Sequence, residues 1–380
     1  MTTPAPLRAS ASPREKIQWP VKRLSDVSQF DKMQGVHGGF PYVGLEHIES
    51  DSGRFIGSYE PQAAKSSTFR FSKDHILYGR LRPYLNKAFA PDFEGHCSTE
   101  IFPIKPSHEL SREYLLYWLL ADETKDRINA TCTGARMPRA DMNEVLEFEI
   151  PVPPLPEQER IVGILDEAFD GIAKAKATAE ANLQNARALF QSHLQSVFSQ
   201  KGEGWVEKTL GEVCEMYQPK TIGTKDLIPD GPYPVFGANG IIGNYDQYNH
   251  EDPQLLITCR GATCGSVNIS LPKSWITGNA MVVRPINESL NLKFLEYAFR
   301  GGVDLSKAIT GAAQPQITRT NLSPIQIRFP GSVAQQKRLA ETFESLSSET
   351  QRLESLYQNK LNALDELKKS LLHQAFTGNL

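Results

Sequence analysis

The sequence predicts an α+β chain of two pseudo-twofold-related, mixed α/β globular domains separated by a long antiparallel two-helix coiled coil. Three observations carry that expectation. Helical periodicity runs from Pro156 to about Gln200, a second such run spans Ala334 to Phe376, and the segments before each run repeat one another.

In the first run, apolar or small residues recur at Ile161, Leu165, Ala168, Ile172, Ala175, Ala179, Leu183, Ala186, Phe190, Leu194 and Val197. Steps of three and four place them on one side of a helix. Leu339, Phe343, Leu346, Thr350, Leu353, Tyr357, Leu361, Leu364, Leu367 and Leu371 mark the same stripe in the second run. Each helix would be a rod about 60 Å long at roughly 1.5 Å per residue. A lone amphipathic helix exposes its stripe and gains little stability, so each rod needs a partner. The alanines of the first run suit the larger Leu, Phe and Tyr of the second for close packing; packing of each rod on its neighbouring domain is the other solution. Pro151, Pro153, Pro154 and Pro156 stiffen the approach to the first rod, and Glu157 and Glu159 suit its electropositive N-terminus.

The repeat begins at Trp19, whose WPVKRL corresponds to WVEKTL at Trp205. ILYGRLRPYL (76 to 85) parallels LLITCRGATCG (255 to 265), each an apolar strand running into a turn with Gly and Arg. Gly134-Ala135 and Pro138 return at one common offset as Gly311-Ala312 and Pro315, and EQERI at 157 returns at almost the same offset as QQKRL at 335. Strands are expected at 41–48, 75–79, 98–104, 146–152, 254–259, 279–285 and 323–329, with helices over 111–129 and 291–301. The resulting division is a disordered lead-in (1–16), a first domain (17–155), a central helix (156–200), a second domain (201–333), a C-terminal helix (334–376) and a tail (377–380).

Composition sets outer bounds. With 40% hydrophobic and 22% charged residues, the 380-residue chain is ordinary for a soluble protein. No apolar run approaches the roughly 20 residues of a membrane helix, which makes a cytoplasmic protein the expectation. Five cysteines lack paired metal-ligand spacing and read as reduced thiols, so no metal site is expected. A net charge of −3 argues against nucleic-acid binding over the whole surface and leaves local basic patches.

Catalytic motifs are missing. FGANG (236 to 240) lacks the following helix of a cofactor loop, and Asp92 with Glu100 lacks the lysine of a nuclease acid pair. Basic clusters are more informative. Lys65, Arg70, Lys73, Arg80, Arg82 and Lys87 face one acid, Asp74, with Tyr78 among them. They suit a phosphate backbone, with Arg80 or Arg82 reaching a base edge; a solvated loop has the same composition. A second group supplies Arg136 and Arg139, and its repeat supplies Gln314, Gln316, Thr318 and Arg319. Arginine favours guanine acceptors and glutamine bonds adenine twice, so the two loops would read different half-sites; ordinary turns packed against the rods are the alternative. Lys220, which follows Pro219, Arg260 and Lys273 complete the candidate DNA-binding set.

The duplicated plan, the GARMPRADMNEVLEFEIPVPPLPEQERIV segment and the terminal LKKSLLHQAFTGNL resemble the specificity subunit of type I restriction-modification systems, over nearly the whole chain. The resemblance implies two target recognition domains, each reading one half of a bipartite duplex target, and two helices that set the spacer. It implies a non-catalytic subunit that docks two adenine methyltransferase subunits, with restriction/translocase subunits joining the complex. S-adenosylmethionine, ATP and Mg would then belong to those partners, and the protein would be nucleoid-associated. Glu157, Gln158, Arg160, Gln335, Gln336 and Arg338 are the docking candidates it implies, although PGSVAQQKRL departs from the proline-rich, acidic start of the first helix. A specificity subunit of a fused nuclease-methylase system and a coiled-coil scaffold without DNA binding are the competing readings.

Overall fold

The computed structural model of the chain describes residues 19–200, 203–311 and 314–380; the expected lead-in over residues 1–16 lies outside them. Packing divides the chain into one unit that ends at Ala179 and includes Asn359–Leu380, and a second unit, Glu180–Gln358.

The first unit runs β1 (Val21–Arg23), α1 (Leu24–Val27), β2 (Ser28–Phe30), β3 (Gln34–Gly35), β4 (Tyr42–Val43), β5 (Thr68–Phe71), β6 (Ile76–Gly79), β7 (Ala88–Phe89), β8 (Gly95–Cys97) and β9 (Ile101–Pro106). It continues through α2 (Arg112–Leu120), α3 (Asp122–Ala130), α4 (Met142–Leu146), β10 (Glu149–Pro151) and α5 (Leu155–Ser199). β1 pairs with β10, so the domain closes on itself just before the long helix. Two four-stranded sheets lie between, ordered β2-β9-β6-β7 and β3-β5-β8-β4.

β6 shows why a short, wholly apolar run forms a strand here. Alternate residues of a strand point to opposite faces, and both faces are buried: Ile76 and Tyr78 join Tyr114, Leu115 and Trp118 of α2, while Leu77 joins Val43, Phe69 and Cys97. Two expected elements divide. The strand expected over 41–48 stops at Val43, where Gly44 donates its N–H to His47 Nδ1 and starts a 3-10 turn. The helix expected over 111–129 breaks at Ala121, whose backbone is extended (φ −65°, ψ 138°).

The second unit repeats the plan: β11 (Trp205–Thr209), α6 (Leu210–Val213), β12 (Cys214–Tyr217), β13 (Tyr233–Gly237), β14 (Gly240–Tyr245), β15 (Leu255–Thr258), β16 (Val267–Ile269), β17 (Trp275–Ile276), β18 (Ala280–Pro285), α7 (Leu292–Gly301), α8 (Arg319–Leu322), β19 (Gln326–Pro330) and α9 (Val333–Phe376). β11 pairs with β19, and β12-β18-β15-β16 has the strand order of β2-β9-β6-β7. β15 again divides its side chains between two cores, Leu255 and Ile257 on one face and Leu256 on the other.

Within the first unit the start of α5 and the end of α9 run antiparallel: Arg160 donates to the Leu380 carbonyl and Lys176 pairs with Asp365. In the second unit the other halves do the same, with Arg187 to Glu354 at 3.0 Å and the His193 and Phe343 rings 6.0 Å apart. The helices also enter the domain cores. Ile161, Leu165, Leu372 and Ala375 belong to the first core, and Leu194, Phe198, Ala340 and Phe343 to the second. Helix pairing and helix-on-domain packing are therefore both realised, and one stripe serves both because its two ends meet a domain. Leu346 and Leu367, expected in the stripe, are instead exposed.

Gln158 and Gln336 correct an expectation. Both are fully buried, so neither offers a docking surface. Gln158 Oε1 accepts from the N–H of Ser111, which caps α2, and its Nε2 donates to the carbonyls of Glu109 and Pro153. Gln336 does the same to Asn291, which caps α7, and to Ser289 and Pro330. One amide has the acceptor and the two donors that three stranded backbone groups need, so each glutamine locks a long helix to its domain.

Candidate nucleic-acid interface

The chain leaves β6 at Gly79 and enters a turn held by three backbone hydrogen bonds. The Arg80 N–H donates to the Glu100 carbonyl (2.9 Å), Arg82 N–H to Pro138 (2.8 Å), and Ala140 N–H to Arg80 (2.9 Å). Thr133 and Arg139 exchange bonds of 3.1 and 3.0 Å and close a second turn on Gly134, whose φ of +90° favours glycine. Two loops distant in sequence thus become one surface.

The second unit reproduces this framework bond for bond. Cys259 N–H donates to Asn279 (3.2 Å), Gly261 to Pro315 (3.1 Å) and Ile317 to Cys259 (2.9 Å), while Thr310 and Gln316 exchange bonds of 2.9 and 2.8 Å beside Gly311. The register equates Arg80 with Cys259, Leu81 with Arg260, Arg82 with Gly261, Glu100 with Asn279, and Arg139 with Gln316. Arg82 has φ +51° and Gly261 +90°, so the turn needs a left-handed residue and the first unit places an arginine there.

In the first unit Glu100 sits between two guanidinium groups. Arg139 Nη2 lies 2.8 Å from its Oε1, and Arg80 Nε 3.0 Å from its Oε2. Partial burial raises the Glu100 pKa, but hydrogen bonds from Arg139 and Arg80, with their charges, outweigh it and hold the carboxyl below its ordinary value. Arg80, Arg139, Lys32, Phe102, Thr133 and Asn143 line a cleft of about 290 Å³. A second cleft of similar size is lined by Lys65, Ser66, Thr68, Tyr42, Ser98 and Thr99, so the segment from Ser98 to Glu100 joins the two. Sequence reasoning passed over Lys32 and gave Glu100 only a rejected nuclease role; neither stands in a basic run.

Lys65, Arg82 and Arg136 are exposed, with no side-chain partner among the described residues. Other candidates are committed elsewhere. Tyr78 is wholly buried and its hydroxyl pKa is raised by burial, so it cannot touch DNA. Lys87 is corrected too: its ammonium donates to the Leu45 and Ile48 carbonyls at 2.6 and 2.8 Å and ties down the 3-10 turn. Arg70 packs 3.5 Å from the Phe40 ring centroid and pairs with Glu94. Lys73 is exposed but precedes β6, at the opposite end of that strand from Arg80.

In the second unit Arg260, Gln314 and Gln316 share the loop surface, all exposed. Lys220 stands in the segment where Gln218 and Thr221 bond Gly278, next to Asn279. Thr318 caps α8 by accepting from Asn321, and Arg319 opens that helix, exposed. Lys273 pairs with Glu251 at 3.6 Å and is not part of this cluster. FGANG forms the hairpin turn between β13 and β14, and Asn239 Oδ1 accepts from Thr258 and Thr263 beside the loop. Among the docking candidates, Glu157 and Arg160 pair with each other at 2.8 Å, while Gln335 is half-buried and Arg338 exposed.

Among the described residues no His, Cys, Asp and Glu cluster suits a metal ion, and no helix is long and apolar enough to cross a membrane. The family model for the type I restriction modification DNA specificity domain matches residues 16–183 and 202–363, once on each repeat. The EcoDI specificity subunit of Escherichia coli is 29% identical over 165 residues, 43% of this chain and 36% of that one. The EcoprrI specificity subunit of the same organism is 27% identical over 255 residues, 63% and 61% of the two chains. These alignments span less than two thirds of either relative. The MjaVIII specificity subunit of Methanocaldococcus jannaschii is 22% identical over 411 aligned positions, 95% of this chain and 93% of that one. A solved chain from a type I restriction-modification system shares the fold with TM-score 0.80 at 23% identity, over 97% of this chain and all of that one. The HsdS subunit from Thermoanaerobacter tengcongensis follows at TM-score 0.63 and 21% identity, over 97% and 99%. With both repeats matched by one family model, the chain belongs to the type I restriction modification DNA specificity family.

Proposed function

We propose that this chain is the DNA-reading subunit of a type I restriction-modification complex, each domain reading one half of a bipartite duplex target. The observation that carries this is the pair of loops with one backbone framework and different solvent-reaching side chains: Arg80, Arg82 and Arg139 in one, Arg260, Gln314 and Gln316 in the other. A shared scaffold with exchanged donors and acceptors suits two readers of unlike sequence. The unpaired Lys65, Arg82 and Arg136 supply phosphate attraction locally, which accommodates a net charge of −3. Residues 17–155 and 201–333 are the recognition domains in this reading, and the long helices set the base-pair spacer between half-sites.

Catalysis belongs to partners in the same reading: methyltransferase subunits using S-adenosylmethionine and a restriction subunit using ATP and Mg. Glu157, Arg160, Gln335 and Arg338 remain surface candidates for docking, joined by Leu189 and Leu367. The offset that carries Glu157 onto Gln335 carries Leu189 onto Leu367, and both leucines are exposed (74% and 47%), as two copies of one partner would require.

Mapping modified adenines in the genome of cells that express this chain with its methyltransferase subunits tests the proposal. A single bipartite motif with a fixed gap is expected, and it should vanish when the chain is deleted. Unchanged methylation on deletion, or duplex binding by the complex that does not weaken with salt, would overturn the reading.

A further inference from the structure

We propose that Glu100, itself clamped by Arg139, is a positioning residue that holds Arg80 as a guanine-reading fork in the first recognition domain. This rests on the DNA-reading function proposed above and deepens it.

Arg139 turns its Nε and Nη2 edge to Glu100, at 3.0 Å and 2.8 Å from Oε1, and its Nη1 donates to the Met137 carbonyl at 3.4 Å, so this arginine grips the carboxylate and leaves reading to Arg80. Arg80 gives the carboxylate only its Nε, at 3.0 Å, and neither terminal amine of that guanidinium has a hydrogen-bond partner among the described residues. Those two amines are the donors that match guanine O6 and N7. Arg80 also lies 5.4 Å from the Phe102 ring centroid, so one face of the group is supported as well. The side chains of Arg80 and Arg139 are 34% and 38% exposed and that of Glu100 is 22% exposed: the fork reaches the cleft while its anchor sits behind it.

Charge and entropy explain what the anchor does. A free arginine loses rotamer freedom when it bonds a base edge, and a carboxylate that fixes it in advance removes part of that cost. One carboxylate against two guanidinium groups leaves a net single positive charge. The triad therefore contributes less to phosphate attraction than two free arginines would, and more to directional bonding. In the second unit the register equivalents are Cys259, Asn279 and Gln316, none of them charged, so the device is confined to one domain. A triad that served only to close the loop would have no reason to leave the Arg80 terminal amines open to the cleft.

The experiment uses the full chain assembled with its methyltransferase subunits, on duplexes in which each base of the mapped target is exchanged in turn. The wild-type half-site read by the first domain is expected to contain guanine, and Glu100→Gln is expected to lower discrimination at that guanine by about tenfold or more. Discrimination in the other half-site and the salt slope of binding should stay unchanged. A double variant, Glu100→Gln with Arg80→Gln, is expected to discriminate no worse than Arg80→Gln alone, because Glu100 acts through Arg80, and this non-additivity guards against simple misfolding of the first. A first half-site without guanine overturns the inference. So does Glu100→Gln that keeps full discrimination, equal loss in both half-sites with a lowered melting temperature, or a double variant that loses discrimination well beyond Arg80→Gln alone. If the wild-type complex shows no bipartite preference, the DNA-reading function itself fails; if it shows one that Glu100→Gln leaves intact, only the positioning role fails.

Discussion

Arg82 and Glu100 show how single side chains are set by the loop that carries them. Arg82 holds a left-handed backbone (φ +51°) where the second unit has Gly261, and its guanidinium has no partner among the described residues. A left-handed conformation costs an ordinary residue about 1–2 kcal/mol, and glycine adds roughly 0.5–1 kcal/mol of unfolded-state entropy. Arg82→Gly should therefore leave thermal stability unchanged or raise it by up to about 1.5 kcal/mol, while DNA affinity falls and the salt slope drops by about one ion. Lower stability with unchanged binding would make Arg82 a structural residue. Glu100 has a depressed pKa because hydrogen bonds from Arg139 and Arg80 outweigh the opposing effect of its partial burial. Its stabilising contribution is then fully present above the unfolded glutamate value of about 4.3 and fades as pH falls through the lower folded value. The stability gap between wild type and Glu100→Gln should be constant at neutral pH and shrink below about pH 4, measured by denaturant unfolding across that range.

At the scale of elements, the two buried glutamines decide how a long helix meets its domain. Gln158→Leu would strand the Ser111 N–H and the carbonyls of Glu109 and Pro153. At about 1 kcal/mol or more for each unpaired buried group, a loss of roughly 3 kcal/mol is expected in denaturant unfolding. Gln336→Leu should cost a similar amount through Asn291, Ser289 and Pro330. Along the same helices, Leu189 and Leu367 are exposed at equivalent positions. Replacing either by Asp should leave the isolated chain equally stable and weaken assembly with the methyltransferase subunit by tenfold or more, read by sedimentation, since burying one leucine contributes about 1.5–3 kcal/mol.

For the whole molecule, α5 and α9 each have residues in both units, which makes helix length a variable that can be tested. Four residues inserted after Ala179 and four after Tyr357 add about 6 Å to each helix. The gap in the methylated motif should grow by one or two base pairs, at about 3.4 Å per pair, with both half-sites unchanged. An unaltered gap in an active complex would remove the spacer role from the helices.

The sequence by itself determined the mixed fold and the two long helices, because apolar steps of three and four and a duplicated order of motifs are written along the chain. It also marked one turn of the candidate interface in each unit, where Gly134 and Gly311 take the positive φ of their turns. Tertiary structure alone decided what the polar residues do. Tyr78 sits in a strand buried on both faces, Lys87 is spent on two carbonyls, and Gln158 and Gln336 are consumed by helix caps. Glu100 acquires its place only when a turn near residue 80 and a turn near residue 136 close around it. Periodicity reports which face of an element is apolar; which backbone groups are left unpaired, and which charges converge to satisfy them, depends on segments that only folding brings together.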